Sequence, residues 1–286
     1  MKIFVSILLI LVLVLSLAFE IDERAIVIQD AAFDRAMIAF GLAKGLNAVI
    51  SLIQGTELSF TPVGVGLNFS VGEVLDPFND MVERFSWVML LATVSLGIQK
   101  IILLLSSKIF IQVALGISVA LSLGFIWVKE IKNSLFLSYS LKLFVLMLLL
   151  RFSAIIFVFI SQEFYTSTLQ IQYTEASSII ENTRVELEAL QSKSKTLVQA
   201  QKQEGFFGNV SSKYDKVIES LNISRQLDTL QNSIENASRN IITLITIFIV
   251  QSVVLPLLYI WMLVISVKLI FRSEFTSQQL NRVYNS

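Results

Sequence analysis

The sequence predicts an all-α membrane protein with a few transmembrane helices, a long antiparallel coiled-coil hairpin and a small β-hairpin in the first loop. Three observations lead there. First, 55% of the 286 residues are apolar and only 15% are charged. With a mean hydropathy of +0.73, the chain falls outside the soluble range and among helical membrane proteins. Second, Tyr173, Ala176, Ile180, Thr183, Leu187, Leu190, Ser194, Leu197 and Gln201 recur in steps of three and four residues. So do Ile223, Leu227, Leu230, Ile234, Ala237, Ile241, Leu244 and Phe248. That is the seam spacing of a coiled coil. Third, the stretch Gly205 to Asn209 separates the two runs as a helix breaker, and apolar segments flank the pair, rooting the hairpin in a membrane at both ends.

The same composition excludes much chemistry. Lys plus Arg and Asp plus Glu both number 22, so no net basic field exists to attract nucleic acid. Cysteine and histidine are absent. That removes disulfides, thiolate nucleophiles, the usual zinc ligand and the usual general base near neutrality. No nucleophile elbow, P-loop or metal cluster occurs, so neither an enzyme nor a cofactor is expected.

Five regions follow in order. Residues 1–19 hold a short apolar run after Lys2, either an N-terminal anchor or a signal peptide cut after Ala18. Residues 20–84 are acidic and expected outside the cytoplasm. They carry an amphipathic helix from Arg24 to Gln54, with Gly41 and Gly45 in a GxxxG spacing that lets another helix approach closely. Period-two alternation at 58–60 and 67–71, around Pro62 and Gly64, predicts the β-hairpin. The acids of this region read as a solvated face.

Residues 85–160 are the membrane region. Asp76-Pro77 starts its first helix, with proline near the first turn. Asn79, Glu83, Ser86, Thr93, Gly97, Lys100 and Ser107 form one narrow polar stripe along it. The apolar part, 85–105, either lies in the interface with its stripe to water or crosses with the stripe against protein. Spans are expected at 110–128 and 143–160. Residues 161–248 form the coiled hairpin, and 249–286 the last span and a short basic tail.

Charge orients the chain. Lys129, Lys132 and Lys142, and Lys268, Arg272 and Arg282, place the connection and the tail in the cytoplasm by the positive-inside rule. The coil is then outside. These preferences agree only if an odd number of crossings separates Glu20 from Lys129, which makes 85–105 interfacial or re-entrant.

A few residues stand out. Arg151 interrupts an apolar span, where a central arginine costs about 3 kcal/mol on insertion scales. Glu83, Gln251, Ser266 or a helix carbonyl are its expected partners, and Lys100 and Ser252 complete a candidate intramembrane polar site. Pro256 removes an amide donor and frees the carbonyl of Ser252. Phe206 and Phe207 put large apolar side chains at the hairpin tip, a candidate partner-binding point.

The expected function is protein–protein interaction, with the coil as an extracytoplasmic scaffold or docking arm. Its partners would be the lipid bilayer together with a second copy or another membrane or envelope protein, in a bacterial inner membrane or other plasma membrane. Two rivals are an oligomeric transporter or channel using the stripe and Arg151, and a membrane sensor signalling through a separate partner.

Overall fold

The structure is a computed structural model that describes residues 2–16, 19–55, 59–60, 69–127, 134–203 and 212–272. Side chains within these ranges are described except at 19–20, 55, 59–60, 69–74, 109, 134–135, 193–203 and 212–230. The described residues are helical almost throughout. α1 is Lys2–Ser16, α2 Phe19–Gly55, α3 Val71–Ser107 and α4 Ile109–Trp127. α5, Ser134–Phe164, passes through a π turn at Tyr165–Leu169 into α6, Gln170–Gln203. α7, Ser212–Ile249, passes through a second π turn at Val250–Val254 into α8, Leu255–Arg272.

Both π turns have local causes. In the first, Thr166 donates to the Gln162 and Glu163 carbonyls at 3.0 and 3.2 Å, and Ser167 to that of Phe164 at 3.4 Å. Such back-bonding competes with the backbone ladder and loosens it. The second ends just before Pro256, which supplies no amide.

The expected β-hairpin is not supported. Among the described residues only Ser59–Phe60 and Phe69–Ser70 pair, antiparallel, with Phe60 opposite Phe69, and residues 61–68 between them lie outside the described residues. Val71, which the alternation counts as strand, already begins α3. That helix therefore starts earlier than Asp76-Pro77, and Pro77 sits inside it.

The chain divides into two compact units. Unit 1 comprises Met1–Asp34, Val94–Ser167 and Gln251–Ser286, and unit 2 comprises Arg35–Thr93 and Thr168–Val250. In unit 1, α4 packs on α5, α1 on α4, and α8 on α5. Two apolar layers set the register. Leu9 joins Leu115, Val119, Ile126, Leu137 and Phe144 in one. Ala25 joins Leu103, Ala154, Ile155 and Val158 in the other. The Ser122 and Ser140 hydroxyls meet at 2.7 Å, and the Phe125 and Phe136 rings stack at 6.1 Å. Descending from Leu103 to Phe125 thus retraces α5 from Val158 to Phe136. The last turns of α3 and the whole of α4 run past α5 in series, separated by a break at Lys108, whose amide turns back to the Leu105 carbonyl at 3.2 Å.

In unit 2, every helix buries a face in steps of three and four. On α2 these are Ala36, Ala39, Ala43, Leu46, Ile50 and Ile53; on α3, Leu75, Phe78, Val82, Phe85, Met89 and Ala92. α6 packs on α7, burying Ala176, Ile180, Thr183 and Leu187 of the one and Ala237, Ile241, Leu244 and Phe248 of the other. These are seam positions the spacing predicts. Gln54 donates to Asp76 at 2.7 Å, and the Tyr173 ring meets Phe248 edge-on at 6.0 Å.

Five helical stretches are long and apolar enough to cross a membrane: Ile21–Gln54, Leu75–Ser107, Phe110–Trp127, Phe136–Ser192 and Gln231–Arg272. Lys2–Ser16 is apolar but shorter. The chain is compatible with membrane insertion.

Candidate functional site

The most constrained polar group lies in unit 1, around Arg151. α5 carries it into the interior because its neighbours along the buried face, Ala154, Ile155 and Val158, are apolar. Its side chain is 1% exposed and that of its partner, Asp22, 7%. The geometry is a fork on a carboxylate: Nη1 donates to Oδ1 at 2.8 Å and Nη2 to Oδ2 at 2.6 Å. Nη2 also donates to the Ser16 carbonyl at 2.9 Å. Ser16 ends α1, where the last carbonyls lack intrahelical donors and the dipole favours a cation. One guanidinium therefore closes α1, neutralises the first turns of α2 and ties both to α5. The Phe152 ring lies 5.5 Å from its centre.

Arg151 is buried as its position in an apolar span requires, but its partner is Asp22, not Glu83, Gln251 or Ser266. Glu83 is exposed and belongs to unit 2, and Ser266 donates to the Met262 carbonyl at 2.9 Å. Asp22 is correspondingly not part of a solvated acidic face. A signal for it was present: Asp22, Ala25 and Gln29 are one buried series on α2, in steps of three and four.

A second polar layer of unit 1 contains the other expected residues. Lys100 pairs with Asp30 at 2.7 Å, both sides partly exposed, with its ammonium 6.0 Å from the Phe33 ring. Gln29 donates to the Leu96 carbonyl at 3.0 Å. The carbonyl of Ser252, which Pro256 deprives of its helical donor, accepts a 2.6 Å hydrogen bond from the Ser95 hydroxyl. Gln99 donates onward to Ser95 at 3.4 Å. Gln251 and Ser252 are buried. Lys100, Gln251 and Ser252 thus lie in unit 1 with Arg151. Phe206 and Phe207 lie outside the described residues, as do Lys129 and Lys132.

The middle of the polar stripe of α3 faces inward, although Glu83 at its start is exposed. Ser86 and Thr93 are buried and Gly97 meets the Phe33 ring, whereas Trp87, Leu91, Val94, Ile98, Ile101 and Leu105 are all more than half exposed. A helix in water does the reverse.

In unit 2, Arg184 of α6 binds Glu181 at 2.6 and 2.9 Å and also Glu188. That pairing holds the Glu181 carboxyl below the usual carboxylate range and keeps Arg184 above its ordinary value. Of the two glycines of the GxxxG, Gly45 lies against the Arg184 stem, where an added Cβ would come 3.2 Å from Cδ. Gly41 faces open space.

Among the described residues no group of three acidic side chains is placed to hold a metal ion. No family model matches the chain, and no curated protein or solved structure does either.

Proposed function

We propose that this chain is a non-enzymatic integral membrane protein that works through protein–protein contact. Unit 1 holds it in the bilayer, and the α6–α7 pair serves as a coiled-coil arm outside the cytoplasm, a scaffold or docking element. One observation carries the reading: basic residues gather at one end of unit 1. The Lys142 ammonium donates to the Phe271 carbonyl at 3.1 Å, and the Trp127 indole donates to Ser6 at 3.1 Å. These contacts gather the start of α1, the end of α4, the start of α5 and the end of α8 at one end, with Lys2, Lys142, Lys268 and Arg272 in those turns. Basic residues at one end, with exposed Trp127 and Tyr139 beside them, favour a cytoplasmic interface.

The serial run of α3 into α4 past α5 supports an odd number of crossings between Glu20 and Lys129. The interface reading of 85–105 gives way to one in which its polar stripe faces protein. The chain then crosses as α1 with the first turns of α2, as the end of α3 with α4, as α5 and as α8. The arm, at 34 residues in α6, reaches about 50 Å at 1.5 Å per residue. The bidentate Asp22–Arg151 pair supports a structural role for Arg151 over an ion path, because the arginine's charge is already neutralised.

A topology reporter fused after Asn209 tests the reading. Signal is expected only from the non-cytoplasmic side, and a cytoplasmic signal would sink it.

A further inference from the structure

α8 lies along α5 in unit 1, and none of its residues is fully buried. The two helices run antiparallel. The Ser153 and Tyr259 hydroxyls are 2.9 Å apart, and the Phe157 and Tyr259 rings 4.7 Å apart between centroids. At the basic end, the Lys142 ammonium donates to the Phe271 carbonyl at 3.1 Å. This carbonyl belongs to the last turn of α8, where carbonyls lack intrahelical donors and the dipole favours a cation. The bond uses one of three ammonium protons. Arg272 follows Phe271 in the chain, and Lys268 lies one turn earlier on the same face, about 5–6 Å away between Cβ atoms. Lys268 and Arg272 are exposed and Lys142 is half-buried. Three cations thus meet at the end of one helix pair.

No carboxylate of these helices answers them. α5 has no Asp or Glu between Ser134 and Gln162, and α1, α4 and α8 have none at all. In the adjoining sequence, 128–133 and 273–286, Lys129, Lys132 and Arg282 outnumber Glu130 and Glu274. Exposed Trp127 and Tyr139 lie at the same end, and such side chains mark the headgroup level of a bilayer. Toward the middle of the pair the surface turns apolar, with Leu143 and Leu150 of α5 and Trp261, Val264 and Leu269 of α8 exposed. A partner for this surface needs an anionic group that accepts several hydrogen bonds and, joined to it, apolar chains. An anionic phospholipid has both. A guanidinium takes two phosphate oxygens side by side, and the lysines add point charges. A choline headgroup brings a cation of its own into the site.

We propose that Lys142, Lys268 and Arg272 bind the headgroup of an anionic phospholipid, whose chains lie on the apolar surface of α5 and α8. Basic pockets between membrane helices on the cytoplasmic side hold anionic headgroups in this way. The proposal rests on the membrane placement of unit 1 given above. The full chain is purified in neutral detergent, and its thermal midpoint is followed as phosphatidylglycerol or phosphatidylcholine is added. Phosphatidylglycerol should raise the midpoint saturably, and phosphatidylcholine should not. Lys268→Gln and Arg272→Gln should each raise the half-saturating amount about fivefold. Arg239→Gln, which removes an exposed cation of α7, should leave it unchanged. Native mass spectrometry of the unmutated chain, offered both lipids equally, should show phosphatidylglycerol retained over phosphatidylcholine. Equal retention, or a response that both Gln variants keep in full, overturns the proposal. The same response to inorganic phosphate also overturns it and assigns the site to a free anion. Alkaline carbonate washing of native membranes separates the two readings. Retention of the chain without a preference for phosphatidylglycerol defeats the lipid site alone, and release of the chain defeats the membrane placement and the lipid site together.

Discussion

Burying an arginine costs several kcal/mol unless its hydrogen bonds and charge are met, and Arg151 meets most of this cost through Asp22 and the Ser16 carbonyl. Removing one partner leaves the other charge buried alone, typically a loss of about 3–5 kcal/mol. Asp22→Asn and Arg151→Gln should each lower the thermal midpoint of the detergent-solubilised protein sharply. The double variant Asp22→Leu/Arg151→Met should recover most of the loss, since a buried pair replaced by apolar groups is often near neutral. A normal midpoint in either single variant would refute the pairing. The cost at Arg151 was legible from sequence, because it follows from one residue in an apolar run. Its partner was not, because Asp22 lies 129 residues away and no local rule spans that distance. Ser252 divides the same way. Proline chemistry identifies the freed carbonyl, but only the packing of unit 1 identifies Ser95 as its donor. Ser95→Ala removes that hydrogen bond, at a cost of about 0.5–1.5 kcal/mol. In a Pro256→Ala background the restored amide supplies a donor, so the same change should cost measurably less in a double-mutant cycle.

At the level of elements, periodicity survived where it recorded burial directly. The three- and four-step spacing of α6 and α7 marked a buried face: Ala176, Ile180, Thr183, Leu187, Ala237, Ile241, Leu244 and Phe248 are buried, and Tyr173, Leu190 and Ile234 half-buried. The α3 stripe was equally visible, but its direction was not. Polarity marks the water side of a helix only when water is the solvent, and here Ser86 and Thr93 of the stripe turn inward. The GxxxG of α2 was half informative. Gly45 admits the Arg184 stem, while Gly41 meets nothing within 4 Å. Gly41→Ala should therefore stabilise by about 1 kcal/mol through helix propensity alone. Gly45→Leu should destabilise by roughly 1–3 kcal/mol through overpacking against Arg184. Thermal unfolding of the two variants side by side checks the contrast, and equal effects would place the α2–α6 approach elsewhere. The β-hairpin failed for a different reason. A few alternating residues carry too little information to outweigh a helix that starts at Val71.

At the scale of the whole molecule, α1 packs into unit 1 in the full chain. A short apolar run after one lysine reads equally as an anchor or as a signal, because both need only hydrophobic length. Packing of the full chain is consistent with a retained segment, and truncation tests it. Leu9 is 4% exposed within the layer that holds Leu115, Val119, Leu137 and Phe144, with Val5, Val12 and Leu13 against it. Ser6 accepts the Trp127 indole bond, and Ser16 accepts from Arg151. Loss of α1 would expose that layer and remove an acceptor from a buried guanidinium. Emptying the Leu9 position alone is worth about 2–5 kcal/mol by analogy with leucine truncations in cores, a large part of the 5–15 kcal/mol that holds a typical domain together. A chain lacking residues 1–18, directed to the membrane by an unrelated cleavable signal, should therefore reach the membrane but be degraded or unfold at lower temperature. Leu9→Ala in the full chain should show the same direction at smaller size, which separates packing from targeting. Full stability of the truncated chain in detergent, with Leu9→Ala silent, would show that α1 serves only to deliver the rest, and that Arg151 draws its needed stabilisation from Asp22 alone.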